Sequence, residues 1–296
     1  MKNNYTSSDI SVIIPAKNES EGLQNILPDL KKILPGAEII VVNDGSDDDT
    51  VAVCSKHGAR VVSHPYSMGN GAAIKSGVRN AGGKVLVFMD ADGQHDPNDI
   101  PGLIEKLNTG YNMVVGARST DSHASIFRRI ANNFYNYLAS LITGCNIEDL
   151  TSGFRAAERR HFIKFLYLLP NGFSYPTTST MAFFRSALAV GYIPIRARAR
   201  KGKSHIRIFR DGIRFFIIIL KIGSLFSPMR LFLPISVLLF LTGLGYYAYT
   251  YIYYERFTNM SALILISSLF IFLMGIMAEF ISSLHYKGVE EDDDKT

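Results

Sequence analysis

VLVFMDADGQ, residues 85–94, joins an apolar run to two carboxylates that stand two positions apart. The apolar half is short and rich in valine, as in a buried strand, so Asp90 and Asp92 are expected where that strand ends. Mg²⁺ and Mn²⁺ prefer oxygen ligands, and one or two carboxylates suffice when substrate phosphates supply the other oxygens. The segment therefore predicts a site for a metal–diphosphate, although the same spacing of carboxylates also occurs in turns that cap helices.

Residues 1–120 alternate segments typical of strands with segments typical of helices. Apolar residues recur at helical spacing over 23–34 and over 100–107. The predicted strands are 10–15, 38–42, 59–63, 85–89 and 111–115. This alternation predicts an α/β fold, a Rossmann-like and mostly parallel sheet covered by helices, in which ligands bind at the carboxyl ends of the strands.

Polar residues cluster at three of those strand ends, at 16–19, 43–46 and 90–94. We expect the three clusters to form one site, because the carboxyl ends of parallel strands share one edge of a sheet. Each cluster taken alone also suits an ordinary turn. Beyond residue 120 the pattern is less regular, with a helix predicted at 132–142 and a basic stretch at 194–204. That stretch ends in KGKS but follows no glycine-rich turn, so it is not a P-loop.

The C-terminal part contains two long runs without a charged residue, 231–254 and 258–278. Each is long enough to span a membrane as a helix, and the short polar connection between them predicts a transmembrane hairpin. Two buried helices of a large soluble domain are the alternative interpretation. The predicted domains are a catalytic domain at 1–205, an amphipathic segment at 206–230, two spans within 231–284 at about 231–254 and 259–280, and an acidic tail at 285–296.

Basic residues are concentrated just before the first span. Between residues 196 and 230 there are ten lysines or arginines and a single acid, Asp211. Positive charge beside a span predicts that this side is cytoplasmic, so the catalytic domain and both termini are expected in the cytoplasm. We predict that 206–226 is an amphipathic helix in the headgroup region, with a broken third span as the alternative. Residues 1–9 are polar, so no signal peptide is expected there, and the two cysteines fit no metal spacing.

Together these landmarks resemble the family 2 glycosyltransferases with the GT-A fold. Within that family they resemble the polyprenyl-phosphate branch, which includes dolichol-phosphate mannose synthase and bactoprenol glucosyltransferases. The matching segments are 12–19, 41–46, 89–95, 116–118, 151–155 and 202–204. Many relatives carry Asp-Asp where this chain has Asn43-Asp44, so position 43 offers no carboxylate to the base.

The resemblance implies a set of residues for a nucleotide-sugar donor. Pro15, Glu19 and Asp44 would cradle the nucleoside, and Asp90 would bridge the ribose or the diphosphate. Arg200 or Lys203 would close over the diphosphate. The metal ligands, for Mg²⁺ or Mn²⁺, would be Asp90, Asp92 and Gln94.

A second set of residues is implied for a polyprenyl-phosphate acceptor. Arg118, one of Arg128 and Arg129, Ser152 and Arg155 would surround its phosphate. Arginine suits this task because a guanidinium pairs with phosphate through two hydrogen bonds. The catalytic residues implied are Asp90, Asp92, Arg118 and Arg155.

The activity implied is metal-dependent, inverting transfer of a sugar from a nucleotide diphosphate to an undecaprenyl or dolichyl phosphate at the cytoplasmic membrane face. The expected partners are the nucleotide sugar, the lipid phosphate and the membrane, with no nucleic acid. Some two-span relatives assemble as tetramers, so a homo-oligomer is also expected. The alternatives are a processive polysaccharide synthase, disfavoured because the chain has no Trp for the synthase acceptor motif, and a non-catalytic membrane anchor with a vestigial nucleotide fold.

Overall fold

The computed structural model describes residues 4–118, 126–172, 174–196, 217, 220, 223, 224 and 227–291, with the backbone alone at 126–131 and 285–291. The chain divides into two compact units. The first comprises 1–137 and 146–215, and the second comprises 138–145 and 216–296. Most of the predicted amphipathic segment, 206–230, lies outside the described residues.

The first unit is built on one sheet of seven strands among the described residues. The strands are β1 (Ile10–Ala16), β2 (Glu38–Asn43), β3 (Arg60–Ser63), β4 (Val85–Phe88), β5 (Met113–Arg118), β6 (Arg155–Glu158) and β7 (Val190–Ile195). Their order is β3-β2-β1-β4-β6-β5-β7, and β6 alone runs antiparallel to its neighbours. The mixed, mostly parallel α/β sheet confirms the predicted fold class.

Helices cover the sheet and close its core. They are α1 (Ser20–Ile33), α2 (Thr50–Lys56), α3 (Asn70–Asn80), α4 (Ile100–Asn108), α6 (Arg159–Phe162) and α7 (Tyr175–Arg185). A further helix, α5 (Ile126–Thr143), belongs to the first unit up to Tyr137 and to the second from Leu138. Short 3₁₀ helices occupy Ser7–Asp9, Pro97–Asp99 and Ile163–Leu168. The apolar faces of α1 and α4 pack on the valine- and isoleucine-rich strands in one buried cluster, which holds the strand ends rigidly in place.

Two strands were not predicted from the sequence. β6 contains two alanines between Arg155 and Glu158, a composition with little preference for strands, yet all four residues are buried. β7 contains Pro194, which cannot donate to a ladder and is tolerated because β7 is the last strand of the sheet. The fifth predicted strand, 111–115, is observed two residues later, at Met113–Arg118.

The second unit contains the predicted hairpin. Helix α8 (Pro228–Tyr254) and helix α9 (Asn259–Glu291) are both long and apolar enough to cross a membrane. Ser268 Oγ donates to the carbonyl of Ser236 across the pair at 2.9 Å. Gly275 lets the helices approach closely, because a Cβ there would lie 2.8 Å from that of Phe232. Helix α9 continues through Glu291, so the predicted tail at 285–296 is helical in its first part.

Candidate active site

The loops after β1 and β2 are joined to each other by hydrogen bonds. The backbone N–H of Asp44 donates to the carbonyl of Ala16 at 2.9 Å, and that of Asn18 donates to Ser46 Oγ at 3.0 Å. The N–H of Asp47 in turn donates to Asn18 Oδ1 at 2.9 Å. Two of the three predicted polar clusters therefore form one continuous edge.

Two of the predicted nucleoside contacts lie on this edge. Pro15 is half-buried near the end of β1 and pairs with Val42. Glu19 is the residue before α1, and its backbone N–H donates to Thr50 Oγ1 at 3.3 Å. The end of β1 thus places both residues close to β2 and the segment that follows it.

Asp44 is buried, and its carboxylate accepts four hydrogen bonds. The donors are His64 Nδ1 at 2.7 Å, Ser67 Oγ at 2.9 Å, and the backbone N–H groups of Met68 at 2.7 Å and Gly69 at 2.9 Å. Burial alone would raise the pKa of Asp44, but these hydrogen bonds, led by that of His64, hold it below its usual value. Asp44 therefore fixes the segment that leads into α3, and a nucleoside would have to share one of its occupied oxygens.

The acidic loop, residues 90–94, follows β4 after one residue, Met89. Asp90, Asp92 and Gln94 are all half-buried, and Asp92 Oδ1 accepts the backbone N–H of Gln94 at 3.1 Å. Gly93 has a φ of +73°, which allows this tight turn. Among the described residues no group of three His, Cys, Asp or Glu side chains is placed to hold a metal. Two carboxylates and an amide oxygen fit Mg²⁺ or Mn²⁺ provided that water or a diphosphate completes the oxygen shell.

His95 packs beneath the acidic loop. Its ring stacks on Phe154 with centroids 5.0 Å apart, and its Nε2 lies 3.7 Å from Asp90 Oδ2. The histidine is buried, and its Nδ1 has no hydrogen-bond partner within the described part of the chain. His95 thereby limits where the Asp90 carboxylate can turn.

Arg118, at the end of β5, forms a two-pronged ion pair with Asp149. Its Nε lies 2.8 Å from one carboxylate oxygen, and its Nη2 lies 2.9 Å from the other. Asp149 also accepts the backbone N–H groups of Thr151 and Ser152, and Arg118 bonds the Thr151 hydroxyl. Burial alone would raise the pKa of Asp149, but the Arg118 guanidinium holds it below its usual value. One carboxylate thus fixes both an arginine and the turn at 149–152.

Arg155 is completely buried in the centre of the sheet. Its Nη1 donates to the carbonyl of Pro176 at 3.0 Å, to Ser179 Oγ at 2.9 Å and to Thr180 Oγ1 at 3.0 Å. Its Nε and Nη2 donate to the carbonyl of Ser152. Burial lowers the pKa of Arg155, and the carboxylates Asp149 and Asp90 act against that shift only from a distance. The residue predicted to touch the acceptor phosphate therefore ties the 149–152 turn to the start of α7.

The remaining predicted residues are not placed by these contacts. Arg128 and Arg129 lie in α5, but their side chains are outside the described residues. Arg200 and Lys203 lie outside the described residues altogether.

Family models match both parts of the chain. The model described as glycosyl transferase family 2 matches residues 11–166, which include the three strand ends and the 149–152 turn. The chain belongs to glycosyl transferase family 2. A second model, described as the GtrB C-terminal hairpin, matches residues 227–284, the region of α8 and α9.

Two relatives from the archaeon Haloferax volcanii match most of this family 2 member. A dolichyl-phosphate hexose transferase is 29% identical over 210 residues, covering 70% of this chain and 91% of the relative. The glycosyltransferase AglJ is 24% identical over 97% of this chain and 99% of its own length. An undecaprenyl-phosphate 4-deoxy-4-formamido-L-arabinose transferase from Pectobacterium atrosepticum is 33% identical over 165 residues. The chain spans about half the length of that bacterial relative, 50%.

Among solved structures, the fold of this family 2 glycosyltransferase is similar to that of glucosyl-3-phosphoglycerate synthase from Mycobacterium tuberculosis. The form in complex with Mn²⁺, UDP-glucose and phosphoglyceric acid has a TM-score of 0.61 and 22% identity. It covers 76% of this chain and 86% of the synthase. The similarity concerns the fold, and it agrees with the GT-A arrangement expected from the sequence.

Several residues that shape the site were not singled out from the sequence. His64 and His95 share no ligand spacing with other histidines, yet each lies against a carboxylate that was singled out. The buried start of α7 follows a stretch that contains Pro170 and Gly172, residues that disfavour regular structure. One signal was available there, since Pro176 stands at the second position of the helix, where proline is well tolerated.

Proposed function

We propose that this glycosyltransferase moves a sugar from a nucleotide diphosphate to a polyprenyl phosphate, with inversion at the anomeric carbon and dependence on a divalent cation. The single observation that carries the proposal is that the acidic loop lies close to the turn that the Arg118–Asp149 pair holds. Gly153, next to the 149–152 turn, lies against the acidic loop, because a Cβ added to it would lie 2.9 Å from Asp90 Oδ2. Burial alone would lower the pKa of Arg118, but its hydrogen bonds to Asp149, with the charges of Asp149 and Asp90, hold that pKa above its usual value. A cation-binding loop thus lies beside a fixed arginine.

The donor half of the site would hold the nucleotide diphosphate. Asp90, Asp92 and Gln94 would bind Mg²⁺ or Mn²⁺, which when bound neutralises charge on the departing diphosphate. The edge formed by Pro15, Glu19 and the Asp44 loop would receive the nucleoside. Arg200 or Lys203 remains our prediction for a further cation at the diphosphate.

The acceptor half would hold the lipid phosphate. The second pKa of a phosphate monoester lies near 6, so the acceptor is largely dianionic at neutral pH and needs no general base. A phosphate oxygen would attack the anomeric carbon while the bond from that carbon to the diphosphate breaks, and the electron pair leaves with the nucleoside diphosphate. Arg118 and one of Arg128 and Arg129 would offset the repulsion between the two anions.

The Asp149 and Arg155 contacts give each residue a distinct task in this scheme. Asp149 orients the Arg118 fork, so the donor groups of Arg118 that Asp149 leaves available would face the phosphate. Arg155 would act through Ser152, since it holds the carbonyl of that residue and is itself inaccessible. Ser152 is buried as well. We therefore propose Arg118 as the direct contact of the phosphate, and Ser152 and Arg155 as residues that position the turn beside it.

The hairpin fits a lipid substrate. A polyprenyl chain leaves the bilayer only at a cost of about 0.8 kcal/mol for each CH₂ group, so the enzyme has to meet the phosphate at headgroup height. Helices α8 and α9 would anchor it there. We propose that the catalytic domain and both termini lie in the cytoplasm, which the basic stretch before α8 supports. Assembly as a homo-oligomer remains a prediction.

The direct test is product formation by the purified full chain in detergent or nanodiscs. Polyprenyl phosphate, Mn²⁺ or Mg²⁺ and a panel of UDP- and GDP-linked sugars are supplied, and lipid-linked sugar is detected by mass spectrometry. We expect product from one donor, its loss with a chelator, and its loss in Asp92→Ala. Asp29→Ala, which removes an exposed carboxylate from α1, is the matched control and is expected to retain activity. No product from any donor, with no nucleotide-sugar binding, would favour a non-catalytic anchor.

A further inference from the structure

Asp90 differs from the other carboxylates of the candidate site in its hydrogen bonds. Asp44 and Asp149 each accept several hydrogen bonds. Asp92 accepts the backbone N–H of Gln94. The carboxylate of Asp90 accepts none from the part of the chain that the structure describes. Its side chain is 36% exposed, so a ligand can reach it.

Two neighbours approach Asp90 at the same oxygen, Oδ2. His95 Nε2 lies 3.7 Å from this oxygen, and a Cβ placed on Gly153 would lie 2.9 Å from it. Gly153 is itself held in place, because Tyr175 Oη donates to its carbonyl at 2.9 Å. Oδ2 thus faces the protein, and Oδ1 is the oxygen that remains for a ligand.

His95 is fixed in the position from which it approaches Oδ2. The residue is 6% exposed, and its ring stacks on that of Phe154 with an angle of 12° between the two planes. Its Nδ1 is buried and has no hydrogen-bond partner among the described residues, so only Nε2 has a polar neighbour there, Asp90. A neutral imidazole carries a single N–H, and a carboxylate favours the N–H on the nitrogen that faces it. The proton of His95 therefore belongs on Nε2.

The distance between His95 and Asp90 suits a contact that closes when the site is filled. At 3.7 Å it is a little longer than a hydrogen bond. Hydrogen bonds in active sites often tighten when substrate is bound. Side chains that hold a metal are usually oriented by hydrogen bonds from their neighbours, and loss of such a neighbour typically lowers metal affinity about 10- to 100-fold. His95 has the donor, the burial and the position for this role.

We propose that His95 is a positioning residue for Asp90, and that its Nε2–H donates to Oδ2 when a cation and a diphosphate occupy the acidic loop. This inference rests on the proposed function, which brings both groups to that loop. With Oδ2 engaged, Asp90 offers one oxygen to the cation rather than two. Mg²⁺ requires a compact shell of about six oxygens, whereas Ca²⁺ accepts up to about eight and can take both oxygens of one carboxylate. His95 thereby favours Mg²⁺ over Ca²⁺.

The test compares nucleotide binding supported by the two cations. Binding of UDP and of GDP to the full chain in detergent is measured by calorimetry with Mg²⁺ and, separately, with Ca²⁺. His95→Phe keeps a ring against Phe154 but has no N–H. We expect this variant to bind the nucleotide that wild type prefers about tenfold more weakly with Mg²⁺, and within about twofold of wild type with Ca²⁺. Thermal unfolding in detergent without added cation shows whether each variant is folded.

Glutamine and asparagine at position 95 test which ring nitrogen matters. The amide nitrogen of glutamine stands near the position of Nε2, and that of asparagine stands near Nδ1. His95→Gln should therefore restore Mg²⁺-supported binding to within about threefold of wild type, whereas His95→Asn should resemble His95→Phe. This comparison does not depend on the phenylalanine variant.

His161→Phe is the matched control. His161 Nε2 lies 3.1 Å from Glu158 Oε2, so His161 is also a histidine beside a buried carboxylate. Glu158 pairs with Val85, the first residue of β4, whereas the acidic loop follows the other end of that strand. His161→Phe should change nucleotide binding with neither cation.

Three outcomes would overturn this inference alone. Wild-type binding by His95→Phe with Mg²⁺ would show that His95 does not orient Asp90. An equal loss of binding with Mg²⁺ and with Ca²⁺ would mean that His95 only supports the fold of the acidic loop. Restoration by asparagine but not by glutamine would assign the contact to Nδ1. A wild type that binds neither nucleotide with either cation, and forms no product, would instead refute the proposed function, and this inference with it.

Discussion

Gly22 offers a sharp test of how closely the acidic loop is held. It is the third residue of α1, and a Cβ added there would lie 2.0 Å from the carbonyl oxygen of Ala91. Contacts of a Cβ below 3.0 Å essentially do not occur, so Gly22→Ala has to move the helix and the loop apart by about 1 Å. Ala91 stands between Asp90 and Asp92, and both carboxylates would be displaced with it.

We expect Gly22→Ala to have a large effect on activity. Misplacing groups in an active site by about 1 Å can cost about 100-fold in activity. We therefore expect Gly22→Ala to reduce turnover with the productive donor about 100-fold and to weaken Mn²⁺-dependent binding of the nucleotide sugar. The assays are lipid-linked product formation and calorimetric binding, both with the full chain in detergent.

Gly102→Ala is the matched control. Gly102 is the third residue of α4, and its added Cβ would meet Ile193 at 3.4 Å, an ordinary contact. Alanine in place of glycine inside a helix is favoured by about 0.5–1 kcal/mol, so this variant should be as active as the wild type and slightly more stable. Wild-type turnover and Mn²⁺-dependent binding in Gly22→Ala would refute the claim that the α1 contact sets the position of the acidic loop.

Three further predictions concern stability, measured by thermal unfolding in detergent. Asp149→Asn removes the charge that pairs with Arg118 and should lower the free energy of unfolding by about 2 kcal/mol. This is less than for a fully buried pair, because Arg118 is partly exposed. An unchanged midpoint temperature of unfolding would contradict this prediction. The folded-state pKa of Asp44 is depressed, so its contribution is complete above the unfolded value and is lost as the pH falls through the folded one. Asp44→Asn should therefore be less stable than wild type at pH 7, and a difference that does not shrink as the pH is lowered would be evidence against the ionised form. Ser268→Ala removes the bond between α8 and α9 and should cost about 0.6 kcal/mol, whereas Ser267→Ala, which loses only a bond within α9, should cost less.

The sequence predicted best where local pattern and burial agree. The apolar runs before Ala16, Asn43 and Asp90 each formed a parallel strand, and the polar residues after them share one edge as expected. β6 could not be predicted in this way. Its stability comes from the partners of Arg155 and Glu158, which lie far away in the chain and leave no periodic signal.

The site shows the same limit. Residue types indicated that Asp44 and Arg155 belong to the functional edge, but their partners decide what each can do. The carboxylate of Asp44 is hydrogen-bonded to His64, which lies twenty residues later in the chain. The guanidinium of Arg155 is hydrogen-bonded to the carbonyl of Pro176, which lies more than twenty residues later. Such pairings depend on tertiary distances rather than on local composition, so they could not be predicted from the sequence.

Because β6 runs opposite to its neighbours, it contributes different residues to the edge of the sheet that holds the candidate site. Parallel strands deliver to this edge the residues that follow them, whereas β6 delivers the residues that precede it, from Asp149 to Phe154. Arg155 is the first residue of β6, and it pairs with Phe88 of β4 on one side and with Val115 of β5 on the other. A shift of the β6 register by one residue would turn the Arg155 side chain to the opposite face of the sheet. The hydrogen bonds that Arg155 makes to the 149–152 turn and to α7 would then be lost. Substitutions in β6 are therefore expected to disturb the acidic loop and the 149–152 turn together.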